Sequence, residues 1–267
     1  VAARLQPQPP HTVLARLAAQ RVAAAQERLE ALPPERRRAV LRSQWNKLLG
    51  DIDPKAEPKL LQRRAQSLEQ ATAEWLALEV EPGIVVPVIL LTPGGKHKPP
   101  FPVVICVSQS GKREFLRQRA EQLGGLLQGG MAVCLADVRG TGESAVGDAR
   151  DFRGHAASIS QAELVLGQTL LESKLRDLRS VMRYLPRRGE FDLRAAAIWG
   201  ESFAAVNPAG SDPTAPLDFA GGIPHAEPTG ALLAVLVALY EDGVAAVLAR
   251  GGLAGYQSLP ESYCCYV

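Results

Sequence analysis

Ala195-Ala196-Ala197-Ile198-Trp199-Gly200-Glu201-Ser202-Phe203-Ala204 is the stretch on which the fold turns. An unbroken apolar run of this length fits a strand buried on both faces of a sheet. The run leads directly into Gly-x-Ser-x-Ala. A serine hydroxyl is a poor nucleophile at neutral pH and becomes effective only when a sharply turned backbone presents it beside a general base. Gly200 and Ala204 stand two residues either side of Ser202 with little or no side chain, so the turn can tighten while neighbouring elements close around it. The N–H of Phe203, the next residue, then points at the oxyanion that would develop. A five-residue pattern with alanine in place of the second glycine also occurs by chance as an ordinary strand-to-loop turn, so the surrounding chain decides its meaning.

That surrounding chain alternates strands and helices. Upstream, Phe101 to Val107 is a short, wholly apolar run of the buried-strand type, and Phe115, Leu116, Ala120, Leu123 and Leu127 then recur at helical spacing. Met131 to Ala136 is a second buried strand. Leu164, Leu171, Leu175, Leu178, Met182 and Leu185 keep one face apolar and predict a single longer helix leading to the serine-bearing strand. Trp75 to Val80 and Ile84 to Leu91, separated by Pro82-Gly83, predict an opening hairpin. After Ser202 comes a Pro/Gly-rich stretch from Asn207 to Gly230, an apolar helix at 231–240 and a further strand at 244–248. The expected class is α/β, with a mostly parallel central sheet flanked by helices. Residues 1–73, rich in Ala, Leu, Gln, Arg and Glu and without strand-like alternation, predict an N-terminal helical extension, leaving 74–267 as the α/β domain.

Composition narrows the function classes. Of 267 residues, 46 % are hydrophobic and 22 % charged, enough for one sizeable core. Thirty basic against 28 acidic residues leave a formal charge of +2, and no like-charge block suggests a nucleic-acid or lipid surface; the run Arg36-Arg37-Arg38 reads as a solvated helix face. Ala231 to Tyr240, the longest apolar run, falls far short of the roughly 20 residues a bilayer crossing needs. Cys106 and Cys134 lie in apolar strands and Cys264-Cys265 are adjacent, which fits neither a metal site nor a disulfide framework. Asp137-Val138-Arg139-Gly140-Thr141-Gly142-Glu143-Ser144 fails the dinucleotide-loop spacing and is read as a turn braced by Asp137 and Arg139. No cofactor and no metal is therefore expected. The chain begins at Val1, and no compartment is assigned.

Three stretches taken together, Asp137-x-Arg-Gly-x-Gly-x-Ser, Arg176-Asp177-Leu178-Arg179 and Trp199-Gly200-Glu201-Ser202-Phe203-Ala204, resemble α/β-hydrolases of the acetylxylan-esterase and dienelactone-hydrolase-like group over roughly residues 74–260. The resemblance implies a serine carboxylester hydrolase. Ser202 would attack an ester carbonyl, the Phe203 N–H would help hold the oxyanion, and a His–Asp pair would activate the serine. The substrate would be a carbohydrate or other small-molecule ester with a short acyl group. A second oxyanion donor is expected from Ser108-Gln109-Ser110-Gly111-Lys112 after the first buried strand, with Gln109 or Ser110 as positional candidates and a plain polar turn as the alternative.

The order Ser, acid, His of this group is not met. His225 is the one histidine after Ser202 and precedes the last visible strand; His155, His97 and His11 precede the serine; and Asp242 suits a helix-end turn better than a catalytic acid. The expectation is that acid and histidine lie beyond Val267. Two other readings stay open: a prolyl-oligopeptidase-type peptidase, and a non-catalytic hydrolase-like binding domain.

Overall fold

The computed structural model describes residues 10–145, 156–203 and 229–252. Among them, seven strands form one sheet: Lys59–Ser67 (β1), Ala71–Glu81 (β2), Ile84–Pro93 (β3), Phe101–Ser108 (β4), Ala132–Ala136 (β5), Phe191–Glu201 (β6) and Val244–Arg250 (β7). Their order is β1-β2-β3-β5-β4-β6-β7. From β5 through β4 and β6 to β7 the strands are parallel, whereas β1, β2, β3 and the β3–β5 pairing are antiparallel. The sheet is thus mixed, and its parallel half carries the serine turn.

Alternation along β4 explains how the sheet is covered. Val103, Ile105 and Val107 point to one face, with Leu175, Leu178 and Val181 of Leu170–Tyr184 (α5) and Leu233, Ala234 and Val237 of Thr229–Tyr240 (α6). Val104 and Cys106 point to the other, with Phe115 and Leu123 of Gly111–Gln128 (α3) and Trp199 of β6. Successive residues of a strand face opposite sides, so an apolar run without polar interruption needs helices on both. The hairpin expected around Pro82-Gly83 is β2–β3, with Gly83 at φ 78° in its turn.

Two expectations are corrected. The single helix expected across Leu164 to Leu185 is two: Ala156–Val165 (α4) and α5. Gly167 takes φ 74°, and Thr169 starts α5 with a capping box, its Oγ1 accepting from the Glu172 N–H at 3.0 Å while its own N–H donates to Glu172 at 3.3 Å. A cap satisfies the orphan N–H groups of a new helix and so ends the old one. Leu164, 60 % exposed, lies off the buried stripe.

The N-terminal region is not helical throughout. Pro10–Glu30 (α1) and Pro34–Leu49 (α2) are helices, but Lys59–Ser67 is strand β1, paired antiparallel to β2 and exposed along its whole length. An edge strand with both faces in water has no core face, so its sequence shows no period-two hydrophobicity; pairing with β2 makes it a strand. Arg37, expected to be solvated, donates to the carbonyls of Leu29, Glu30 and Leu32 at the end of α1.

The described residues fall into two compact units, one holding residues 10–41 and the other residues 42–145, 156–203 and 229–252. Within the second unit, Arg176, Arg179 and Arg183 of α5 donate to the carbonyls of Asp51, Ile52 and Pro54. Spacings of three and four residues place the three guanidinium groups along one side of α5, where they tie the segment after α2 to the helix.

Candidate active site

β6 runs between β4 and β7, with Glu201 opposite Ser108 on one side and Arg250 on the other. The Ser202 N–H donates to the Arg250 carbonyl at 3.1 Å, so the ladder extends to the serine itself. The next residue leaves the extended conformation. Phe203 has φ 50° and is the non-glycine residue at positive φ among those described. A β-carbon disfavours that region, so the backbone strain here sits on Phe203, one residue after the serine.

Glycines make the turn possible. A Cβ on Gly200 would lie 2.1 Å from the Gly230 carbonyl oxygen and 2.7 Å from the Ala234 Cβ, and one on Gly230 would lie 2.3 Å from the Glu201 oxygen. The N-terminal turn of α6 therefore sits directly on the end of β6. The helix that closes over the serine turn is α6; Ala204 and the rest of 204–228 lie outside the described residues.

Ser202 is buried at 1 % exposure. Its Oγ–H donates to the Gly251 carbonyl at 2.7 Å. Gly251 is left-handed at φ 66°, and a Cβ there would come within 2.8 Å of the Ser202 Oγ. The positive φ favours glycine at 251, and a side chain there would displace the Ser202 hydroxyl. The sequence signal, a Gly-Gly pair just after a strand, is visible only in retrospect.

Of the positional candidates after β4, Gln109 reaches the serine: its Nε2–H donates to the Ser202 carbonyl, while its Oε1 is buried without a hydrogen-bond partner. Ser110 is exposed at the N-cap of α3 and makes no side-chain capping bond. The loop they occupy is held from below. Asp137, at the end of β5, accepts from the Lys112 N–H and Nζ, both at 2.6 Å, and from the Glu143 N–H at 2.9 Å. Lys112 and Asp137 are buried at 2 % and 1 % side-chain exposure. Gly111 and Gly142 meet there so closely that a Cβ on Gly111 would stand 2.3 Å from the Gly142 Cα. The turn after β5 is thus braced by Asp137, as expected.

Glu201, beside the serine, is buried and receives Arg119 Nε at 2.9 Å. That carboxylate holds the Arg119 guanidinium above its ordinary pKa through the hydrogen bond. Arg119 also lies over the Phe203 ring, 5.2 Å from its centroid, and Phe203 meets Phe115 edge-on at 5.7 Å. None of these partnerships with Arg119 is legible from spacing, since 82 residues separate Arg119 from Glu201.

Among the described side chains the one histidine is His97, whose Nε2 lies 3.0 Å from the Gln128 carbonyl. Gly130, whose Cβ would come within 2.6 Å of His97 Nδ1, precedes the amino end of β5. His97 is therefore at the end of the parallel strands opposite Ser202. Asp242 is in the turn after α6, paired with Arg42 at 2.8 Å, as a helix-end residue. His155, His225 and the Tyr263–Val267 tail lie outside the described residues. No group of three or more His, Cys, Asp or Glu suited to a metal occurs among the described residues. No described helix is long and apolar enough to cross a membrane. Cys106 and Cys134 are buried free thiols; desolvation pushes Cys134 up to about 12 and Cys106 well above its ordinary value.

No protein-family model matches the chain, and no curated protein matches its sequence. Solved structures do. A protein from Bacteroides fragilis NCTC 9343 assigned as an acetyl xylan esterase superposes with TM-score 0.51 at 16 % identity, over 62 % of this chain and 46 % of that one. The methylesterase BT1017 superposes with TM-score 0.52 at 19 % identity, over 81 % of this chain and 40 % of that one. The chain thus spans less than half the length of either. Parallel strands β5-β4-β6-β7 with helices on both faces, a serine turn at the carboxyl end of β6 and these two likenesses lead to one conclusion: the chain has the α/β-hydrolase fold.

Proposed function

We propose that this protein is a serine carboxylester hydrolase that removes acetyl or other short acyl groups from carbohydrates or small alcohols through an acyl-enzyme at Ser202. One observation carries the reading. Ser202 stands at the carboxyl end of a parallel strand flanked by β4 and β7, where ligands bind in open α/β sheets, and the residue after it is turned to φ 50°. Structures of similar fold include proteins assigned as an acetyl xylan esterase and a methylesterase.

In the first half-reaction the Ser202 Oγ bonds to the ester carbonyl carbon and its proton passes to a base. The tetrahedral intermediate then expels the alkoxide, which takes that proton and leaves as the alcohol. Water repeats the sequence on the acyl-serine and releases the carboxylic acid. The Phe203 N–H supports the oxyanion in both steps, and Gln109 is the candidate beside it. The base comes from outside the described residues. For attack, the Ser202 hydroxyl turns from the Gly251 carbonyl toward that base, since a carbonyl oxygen accepts a hydrogen bond but not the proton.

Burial of Ser202 favours one alternative, a hydrolase-like binding domain without catalysis. A fluorophosphonate probe on the full-length protein separates the two. Labelling at Ser202 that is lost in Ser202→Ala, together with release of acetate from acetylated sugars, supports the esterase. A folded protein that leaves Ser202 unlabelled supports the binding domain.

A further inference from the structure

We infer that Arg119 is a positioning residue of this site, holding Phe203, and with it the backbone N–H that faces the oxyanion, in its left-handed conformation. The inference rests on the esterase reading of Ser202 and adds a residue to it.

The residues on either side of the serine are both engaged by one guanidinium. Arg119 Nε bonds the buried carboxylate of Glu201 at 2.9 Å, and the same group covers the ring of Phe203 at 5.2 Å. A non-glycine residue at φ 50° persists only where its surroundings over-determine it. Here the surroundings are Arg119 over the ring and Phe115 edge-on to it at 5.7 Å, Phe115 itself meeting Trp199 edge-on at 5.1 Å.

The helix that supplies Arg119 departs from regular geometry at that residue. Within α3, Arg119 takes φ −125° and ψ 20°. Sharp irregularities in a helix have local causes and often fall at functional positions. No proline stands in α3 to force it.

Neutralising Glu201 would not by itself require this arrangement. Arg250 also approaches Glu201, its Nε 3.9 Å away, and a lysine could supply the charge. Covering a ring while bonding a carboxylate suits the extended, forked guanidinium better than the compact ammonium of lysine. The donor on Phe203 is thus held through its side chain, as preorganised oxyanion stabilisation demands.

The test measures the maximal rate and the half-saturating concentration of fluorophosphonate labelling in the full-length wild type and in Arg119→Ala, Arg119→Lys, Phe203→Gly and the Arg119→Ala/Phe203→Gly double variant, with Arg117→Ala as control. Removing an oxyanion donor costs about 10²–10³-fold, so loosening one should lower the maximal rate on the order of tenfold. Half-saturation should stay within about twofold, since the donor acts in the transition state. Arg119→Lys, which keeps the charge at Glu201 without the guanidinium over the ring, should fall between wild type and Arg119→Ala. The double variant should be no slower than Phe203→Gly, because Arg119 acts through Phe203. Arg117, exposed and paired with Glu114, should be indifferent.

A labelling wild type with an unchanged Arg119→Ala rate overturns this inference alone, as does a double variant whose loss is the product of the two single losses. A folded wild type that does not label overturns the esterase reading, and this inference with it. Where Arg119→Ala does not fold, Arg119→Lys decides: a wild-type maximal rate in that variant overturns the positioning role.

Discussion

Asp177 accepts three hydrogen bonds from Arg139: from Nε at 3.0 Å, from Nη2 at 2.6 Å and from the backbone N–H at 2.9 Å. The pair joins the Asp-x-Arg-Gly turn after β5 to the middle of α5, so two of the stretches that carried the resemblance meet in one contact. Burial lowers and Asp177 raises the Arg139 pKa, and the partner wins, leaving the guanidinium firmly charged. Glu81 shares Arg139 at 2.8 Å and also receives Arg176 Nε at 2.8 Å.

Asp177→Ala should be among the most damaging single changes in the second unit. Asp177 has no exposed side-chain surface and Arg139 only 17 %, so removal of the carboxylate takes three hydrogen bonds from a largely buried cation and leaves Glu81 as its carboxylate partner. Breaking such a pair costs about 3–5 kcal/mol. Urea unfolding followed by circular dichroism measures it, and a loss below about 1 kcal/mol, the scale of an exposed pair, would contradict the assignment.

Acid stability should reflect Glu81. Burial raises its pKa, but Arg139 and Arg176 together outweigh burial and hold it below the ordinary value of 4.5. A depressed folded-state pKa contributes stability that is complete above the unfolded value, near pH 4.5, and is lost as pH falls through the folded value. Glu81→Gln should therefore flatten the fall in unfolding free energy below about pH 4.5. Wild-type and variant curves running parallel from pH 7 to pH 3 would rule Glu81 out as a source.

Gly200→Ala should destabilise although alanine is the mildest replacement. The added methyl would stand 2.1 Å from the Gly230 carbonyl, which belongs to backbone and cannot swing aside, so α6 must shift. Overpacking of this kind costs about 1–3 kcal/mol. Thermal unfolding reads the cost, and Gly83→Ala, where a Cβ meets nothing within 4 Å but φ is 78°, separates backbone strain from steric overlap.

Asp137 and Glu143 both touch Lys112 but should differ sharply. Asp137→Ala takes the buried carboxylate from a buried ammonium, leaving the exposed Glu143 beside it, and frees two backbone N–H groups, at a cost of about 3 kcal/mol. Glu143 is 67 % exposed and lies 2.8 Å from Lys112 Nζ, so Glu143→Ala should cost under about 1 kcal/mol. Equal losses in chemical denaturation would mean that Glu143 contributes as much as Asp137 to holding Lys112.

Legibility in the sequence followed burial. The runs at Phe101–Val107, Met131–Ala136, Ala195–Trp199 and Val244–Leu248 all became strands of the parallel half. Lys59–Ser67 escaped because its faces are both in water. The break between α4 and α5 was written as Gly167 and Thr169-x-x-Glu172, yet the longer apolar periodicity across it masked the cap. The position of Ser202 and Phe203 at the end of a buried strand was legible from local pattern, whereas the contacts of Arg119 and Gly251 and the Lys112–Asp137 pair were not.

By itself the sequence determined which segments must be buried on two faces, and hence a parallel sheet with helices on both sides and a serine turn at the end of one strand. Apolar burial is non-directional and repeats with the period of the element, so it is written along the chain. Tertiary structure alone decided which arginine answers Glu201, which carbonyl takes the Ser202 hydroxyl and which glycine faces Gly200. Ion pairs and close backbone contacts depend on where two distant elements cross, and neither partner's own segment records that distance.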